Sequence, residues 1–240
     1  MTPPKVTRRI LAVGAHPDDI EFGCAGTLAR CLKRGDTVVM AVACVGDSAS
    51  PTLGPKELAR VRSAELKKSA KTLDAELIEM GLPDYGVWLN RDTMMLFTDV
   101  VRRARPDIVI THGPTDYGGD HNNTHHLLLD ATVAATVKNM KTGHPPLPKI
   151  PHIFMMEPLG GYGFNPHVYV DITDTFDVKI RMLRCHVSQM EWMSRYGGFD
   201  SCKYVEVAAR FRGYQAGVTM AEGFVPHQSF GRVPCGSVLP

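Results

Sequence analysis

The chain reads as an α/β protein: a doubly wound, mostly parallel sheet with helices on both faces. Two observations predict this. Short, apolar, β-branched runs alternate with longer amphipathic stretches through the first half, and a βαβα order implies parallel strands with crossover helices. The first of those runs, residues 10–14 (ILAVG), leads straight into 15–21 (AHPDDIE). A histidine and two adjacent carboxylates thus stand at the carboxyl end of a strand, where open α/β sheets collect ligands and catalytic groups.

Residues 9–15 form strand one and 23–33 helix one. Residues 37–44 (TVVMAVAC) are short, apolar and β-branched, as a buried strand requires,. Residues 46–51 (GDSASP) are a loop. Residues 56–73 form an amphipathic helix with Ala59, Leu66, Ala70 and Leu73 on its apolar side. A strand over 76–80 and a helix over 93–104 follow. Arg105-Pro106 ends that helix, and 107–111 (DIVIT) is the next strand,. A loop rich in Gly, Pro and Asp, 112–120, leads to a long helix over 121–139. After a Pro-rich stretch, 144–151, strands are expected at 153–156 and 167–172, then helices at 175–193 and 205–216. Residues 222–240 show no periodicity and are expected to wrap the surface. The second half reads as an extension of the first, giving one Rossmann-like domain over 1–240.

The 240 residues suffice to bury a core,. The 27 basic and 25 acidic residues nearly cancel, and no basic block interleaved with aromatics suggests a nucleic-acid surface. Six cysteines without a CxxC pair read as reduced thiols,. No apolar leader or membrane-length run occurs, so a cytoplasmic protein with neither nucleic-acid nor membrane partner is expected.

A second polar cluster, 116–126 (DYGGDHNNTHH), follows the fourth strand. In a doubly wound sheet, strands one and four can face one crevice, which would bring His121 toward His16 and Asp19. Two histidines and a carboxylate with open positions suit a catalytic Zn²⁺ or another divalent ion. Each part also has a structural reading. Asp18-Asp19 could cap helix one, and His121 could do so for its own helix. The two clusters together favour the metal site.

Residues 15–38 (AHPDDIEFGCAGTLARCLKRGDTV) closely resemble the opening of the PIG-L, or LmbE-like, deacetylase family. Arg62-Ser63-Ala64-Glu65 resembles its R-x-x-E helix, Gly81-Leu82-Pro83-Asp84 its LG-x-P-D turn and Asp120-His121 its DH element. Val170-Asp171-Ile172-Thr173, Lys179 and His186-Val187-Ser188-Gln189 resemble its C-terminal elements, so about residues 8–225 are covered. The resemblance implies an LmbE-like fold and a zinc-dependent enzyme that removes an acyl group from the amide of a small molecule, the N-acetylglucosaminyl type favoured. His16, Asp19 and His121 would be the metal ligands and Asp18 the general base. Arg62 resembles a substrate-contacting arginine, although a solvated helix face is the alternative. Asp47 and Ser48 follow strand two, at the sheet edge where substrate loops lie, and are candidates for binding hydroxyl groups. The resemblance also implies a homo-oligomer.

Many members carry H-P-D-H where this chain has Gly118-Gly119-Asp120-His121. The first histidine, which stabilises the oxyanion or protonates the leaving amine, is absent. Tyr117, which resembles the family's site tyrosine, and His125, one helical turn after His121, are candidate replacements, with His112 and His167 behind them. That departure keeps a metal-dependent hydratase or lyase as an alternative, and a non-catalytic ligand-binding protein as a third reading.

Overall fold

The computed structural model describes residues 7–229 and 239. In chain order the elements are β1 (Arg9–Gly14), α1 (Asp19–Gly23), α2 (Ala25–Arg34), β2 (Thr37–Cys44), α3 (Pro55–Leu73), β3 (Glu76–Leu82), α4 (Arg91–Ala104) and β4 (Ile108–Thr111). They continue as α5 (Gly119–Ala134), β5 (His152–Met156), β6 (Val168–Asp171), α6 (Phe176–Leu183), α7 (Val187–Gly197), α8 (Ser201–Ala216) and β7 (Ala221–Pro226). The strands form one sheet in the order β3-β2-β1-β4-β5-β7-β6. β1 to β5 are parallel, and β7 runs antiparallel to both β5 and β6.

Strand pleating sends alternate residues to two separate cores. Ile10, Ala12, Val38, Met40, Ile108 and Ile110 pack under α2, α3 and α6. Leu11, Val13, Val39, Ala41 and Val109 pack under α4 and α5. Burial on both faces explains why these strands read as continuous apolar runs. Strand order reverses where β1 lies between β2 and β4, and that is where an α/β sheet opens a crevice at its carboxyl edge.

Three expectations are corrected. The expected helix one, 23–33, starts only after a break at Cys24 (φ −151°, ψ 8°): it is α2, and a second short helix, α1, stands before the break. The helix expected over 175–193 is two, α6 and α7, separated by a turn at Cys185 and His186. The non-periodic stretch after residue 222 contains β7, a strand inside the sheet. Its sequence, AEGFVP, hides it: a central strand needs no alternation, and it carries a buried glutamate and a glycine. Gly223 is required there, because a Cβ would approach Pro166 Cβ to 2.8 Å. The remainder of the expected wrapping segment, 230–238 and 240, lies outside the described residues.

The break at Cys24 and the charge on β7 are connected. Glu222, 5 % exposed, accepts the backbone N–H groups of Gly26 and Thr27 at 3.1 and 2.7 Å, capping the start of α2 from across the sheet. Lys179, 2 % exposed, donates to Glu222 and to the carbonyl of Phe22 at 2.6 and 2.7 Å. This clamp ties the segment carrying His16 to Glu21 onto the last strand. Removing one charge of such a pair strands the other. A Glu222→Gln protein is therefore expected to lose on the order of 3 kcal/mol of stability, read as a lower urea midpoint with an unchanged m-value.

Candidate active site

β1 and β4 are hydrogen-bonded neighbours, with Ala12 opposite Ile110. The loops leaving their carboxyl ends form one wall of an open cleft of about 430 Å³. His16 and Asp18 come from the first loop and Asp19 from the start of α1; His112, Asp116 and Tyr117 come from the second loop and His121 from the first turn of α5.

His16 Nδ1 lies 3.2 Å from His121 Nε2, and Asp19 Oδ1 lies 3.5 Å from the same nitrogen. Carboxylates hold the far side of each ring. Asp120 Oδ2 stands 3.1 Å from His16 Nε2, and Asp116 Oδ2 stands 3.2 Å from His121 Nδ1. Protons on those outer nitrogens leave the inner lone pairs of both rings facing each other, an arrangement that suits metal-ligating histidines. Two nitrogens at about 2.05 Å from one tetrahedral ion are about 3.3 Å apart, so the observed spacing fits such an ion. His16, Asp19 and His121 thus form a donor set for a divalent metal. Cys44, beside Asp120, also belongs to a candidate group. Burial, and then Asp120, push its thiol far up, so it stays protonated and donates to Asp120.

Burial alone would raise the Asp19 carboxyl, but His121, His112 and His16 outweigh it and hold Asp19 well below the carboxylate range. Asp120 is likewise held down against burial by His16 and by the backbone N–H groups of Tyr85 and Val87. It therefore fixes His16, a candidate metal ligand, and the 83–87 loop at once.

Asp18 differs. Its φ of 109° is strained for a residue with a Cβ, and its side chain makes no capping hydrogen bond, so the capping reading fails,. The twist at Asp18 brings both it and Asp19 to the cleft. Asp18 is 5 % exposed, and its Oδ2 has no partner. Burial raises its carboxyl to about 6, with Arg62 pulling the other way, which brings it into the range useful to a base. Arg62 is 2 % exposed and so is not on a solvated face. Its Nη2 donates to the Pro17 carbonyl at 2.5 Å and lies 3.6 Å from Asp18 Oδ1. It lines the cleft while holding the loop that presents Asp18.

The other candidates divide. Tyr117 lines the cleft, 71 % exposed, its ring edge-on to His121 at 4.9 Å between centroids. His125 does not line the cleft; it is buried behind it, with Nδ1 donating to the His112 carbonyl at 2.9 Å. Burial first lowers His125 to about 4, so the ring is neutral. Asp47 is not on the cleft wall either, because its Oδ1 accepts the backbone N–H of Asp84. Ser48, the other candidate of that loop, does line the cleft, as does Asp84. His112 does reach the cleft, stacked on His121 at 4.2 Å. Burial disfavours its charge, but Asp19 and Asp116 outweigh it and raise His112 to about 9; its Nε2 lies 3.1 Å from both Asp19 Oδ2 and the Ala15 backbone nitrogen. Gly118 has an ordinary φ of −113°, and a Cβ there would sit 3.6 Å from the His121 ring. The missing histidine is thus not a backbone requirement.

α7 adds Gln189, Trp192 and Met193 to the cleft lining, none of which the sequence marked as a site residue. The signal was the HVSQ element, whose histidine starts this helix. His186 is fully buried, with Nε2 3.2 Å from Glu21 Oε1, and Glu21 also accepts from the Ser69 hydroxyl. Burial opposes both charges, yet each partner outweighs it: Glu21 is lowered and His186 raised. The pair's contribution to stability is therefore complete between their unfolded values, 4.5 and 6.5. It is lost as pH falls through Glu21's lowered value, or rises through His186's raised one. The drop in Tm caused by His186→Gln is expected to be largest near pH 5.5 and smaller at pH 9, as calorimetry would record.

Residues 11–132 match the PIG-L family, described as GlcNAc-PI de-N-acetylase. The chain is 28 % identical over 234 residues to the diacetylchitobiose deacetylase of Thermococcus kodakarensis, covering 91 % of this chain and 84 % of that protein. It is 29 % identical over 231 residues to the 4-oxalmesaconate hydratase of Pseudomonas putida, covering 90 % and 85 %. The structure of N,N'-diacetylchitobiose deacetylase from Pyrococcus horikoshii superposes with a TM-score of 0.81 at 24 % identity, over 95 % of this chain and 86 % of that one, and shares the fold. With the family pattern spanning β1 to α5, and so both loops that carry the metal donors, the chain belongs to the PIG-L family.

Proposed function

We propose that the protein is a metal-dependent amide hydrolase, an N-deacetylase that releases acetate from a small N-acylated amine, with the N-acetylglucosaminyl type favoured. The two relatives differ little in identity, so resemblance alone does not choose between deacetylase and hydratase chemistry. The charge of the cleft carries the choice. Asp18, Asp19, Asp84, Asp116, Asp120 and Glu157 line it, whereas Arg62 is its one permanently cationic lining side chain among the described residues, and Glu157 is already paired with Arg212. A dication added to Arg62, Arg212 and a protonated His112 still leaves the carboxylates in slight excess. Such a cleft disfavours the polycarboxylate named for the hydratase. It suits a neutral amide whose product is an ammonium ion.

His16, Asp19 and His121 would hold the metal, and zinc is the ion this donor set favours. A bound divalent ion lowers the pKa of water and polarises an acyl carbonyl. Asp18 takes the proton of the attacking water at its unpartnered Oδ2, while Arg62 fixes the loop that aims it. Tyr117, whose phenol keeps its proton at neutral pH, donates to the developing oxyanion in place of the absent histidine. Proton return from Asp18 then allows the amine to leave.

Product analysis tests this directly. Incubation with a panel of N-acetylated sugars and amino acids is expected to yield acetate and amine in equal amounts. Addition of water to an unsaturated oxo-acid, with no acid released from any amide, would favour the hydratase.

A further inference from the structure

The start of α7 is fastened by two carboxylates. Glu65 accepts the Ser188 backbone N–H at 2.9 Å and its hydroxyl at 2.7 Å, and Glu21 pairs with His186. A helix anchored this firmly presents its residues in fixed positions. Gln189 is 8 % exposed, lines the cleft, and its Oε1 has no partner in the protein. Leaving a buried amide oxygen unpaired is costly. Gln189 therefore serves something other than the stability of the free protein. Trp192 and Met193, three and four positions on, lie on the same helix face and line the same cleft,. An amide beside an indole face suits a ring that carries hydroxyl groups on its edge and C–H groups on its face.

We propose that Gln189 contacts the substrate directly: its side-chain amide hydrogen-bonds a hydroxyl or amide group of a polyhydroxylated ring bearing the acylamino group, and Trp192 packs against the apolar face of that ring. The inference rests on the amide-hydrolase reading and deepens it by assigning the wall that recognises the amine portion. Gln189 binds substrate and moves no proton.

The test uses the metal-loaded protein with N-acetylglucosamine, N,N'-diacetylchitobiose and N-acetylglycine. Gln189→Met keeps side-chain length and removes the hydrogen bonds. It is expected to raise KM for the two sugars about tenfold, the effect of one lost hydrogen bond, with kcat within about twofold, and to leave metal content unchanged. Its Tm is expected not to fall, because the amide has no protein partner to lose. Trp192→Ala is expected to raise KM for the sugars and not for N-acetylglycine. An unchanged KM for the sugars in Gln189→Met would overturn the proposal, as would a lowered Tm with unchanged KM. Wild-type turnover of N-acetylglycine but of neither sugar would leave the hydrolase standing and defeat this inference. If no amide is turned over, the hydrolase reading fails, and calorimetric binding of N-acetylglucosamine decides. Binding about tenfold weaker in Gln189→Met would sustain the contact, and equal or absent binding would reject it.

Discussion

An Asp18→Asn protein is expected to keep its metal and its fold and to lose about 10³-fold in kcat, the scale of a positioned general base. Asparagine is the informative replacement. It is isosteric, and it tolerates a positive φ better than alanine does, so the strained turn at φ 109° survives. The change also removes a buried carboxyl whose Oδ2 has no partner. Against that gain stands the loss of the 3.6 Å ion pair with Arg62. Arg62 keeps its hydrogen bond to the Pro17 carbonyl, so the guanidinium is not stranded. Metal content measured by elemental analysis should equal that of the wild type, because the proposed donors are His16, Asp19 and His121. Loss of metal along with activity would make Asp18 a ligand, and retained activity would remove it as the base.

Chelation is expected to produce the second large effect: turnover lost entirely, and restored by added Zn²⁺ in proportion to metal bound. Stability should fall with it. Without a cation, the His16 and His121 rings have only a shared proton between nitrogens 3.2 Å apart, beside a carboxylate that burial disfavours. A ligand present at a thousandfold its Kd stabilises the folded state by about 4 kcal/mol, so the apo form should melt on the order of 10 °C lower for a chain of this size. The shift should be absent in His121→Ala, which lacks a donor. A chelator that removes metal without changing either Tm or turnover would exclude His16, Asp19 and His121 as a metal centre.

The two motifs that carry this chemistry were legible because each sits at a strand end. An apolar run followed by HPDD, and another followed after a loop by DH, need only the topology of a parallel sheet to be brought together. The observed neighbouring of β1 and β4 does so. Contributions that depend on which way a loop side chain turns were not legible. Asp47 and Asp84 are both loop aspartates, yet Asp47 is used on a backbone N–H while Asp84 lines the cleft. His125 has the right helical spacing to follow His121, but it is held on the far side of the loop by the His112 carbonyl. Asp116 and Asp120 orient the two histidines from outside, and nothing in their spacing distinguishes an orienting carboxylate from a ligating one. The α7 wall was hidden because apolar periodicity runs through Cys185 and His186. The break there sets His186 beside Glu21, a partner far away in sequence.

A carboxylate-rich metal cleft that hydrolyses an acylated amine must release acid and amine together. The most direct measurement is acetate release from N,N'-diacetylchitobiose by metal-loaded wild type and Asp18→Asn, with metal content determined on the same samples. Acetate and free amine formed one for one by the wild type, and about 10³-fold more slowly by a fully metallated Asp18→Asn, is the predicted result. Full metal occupancy in both proteins with equal rates, or with no acetate from this or any other N-acetylated compound, would contradict it.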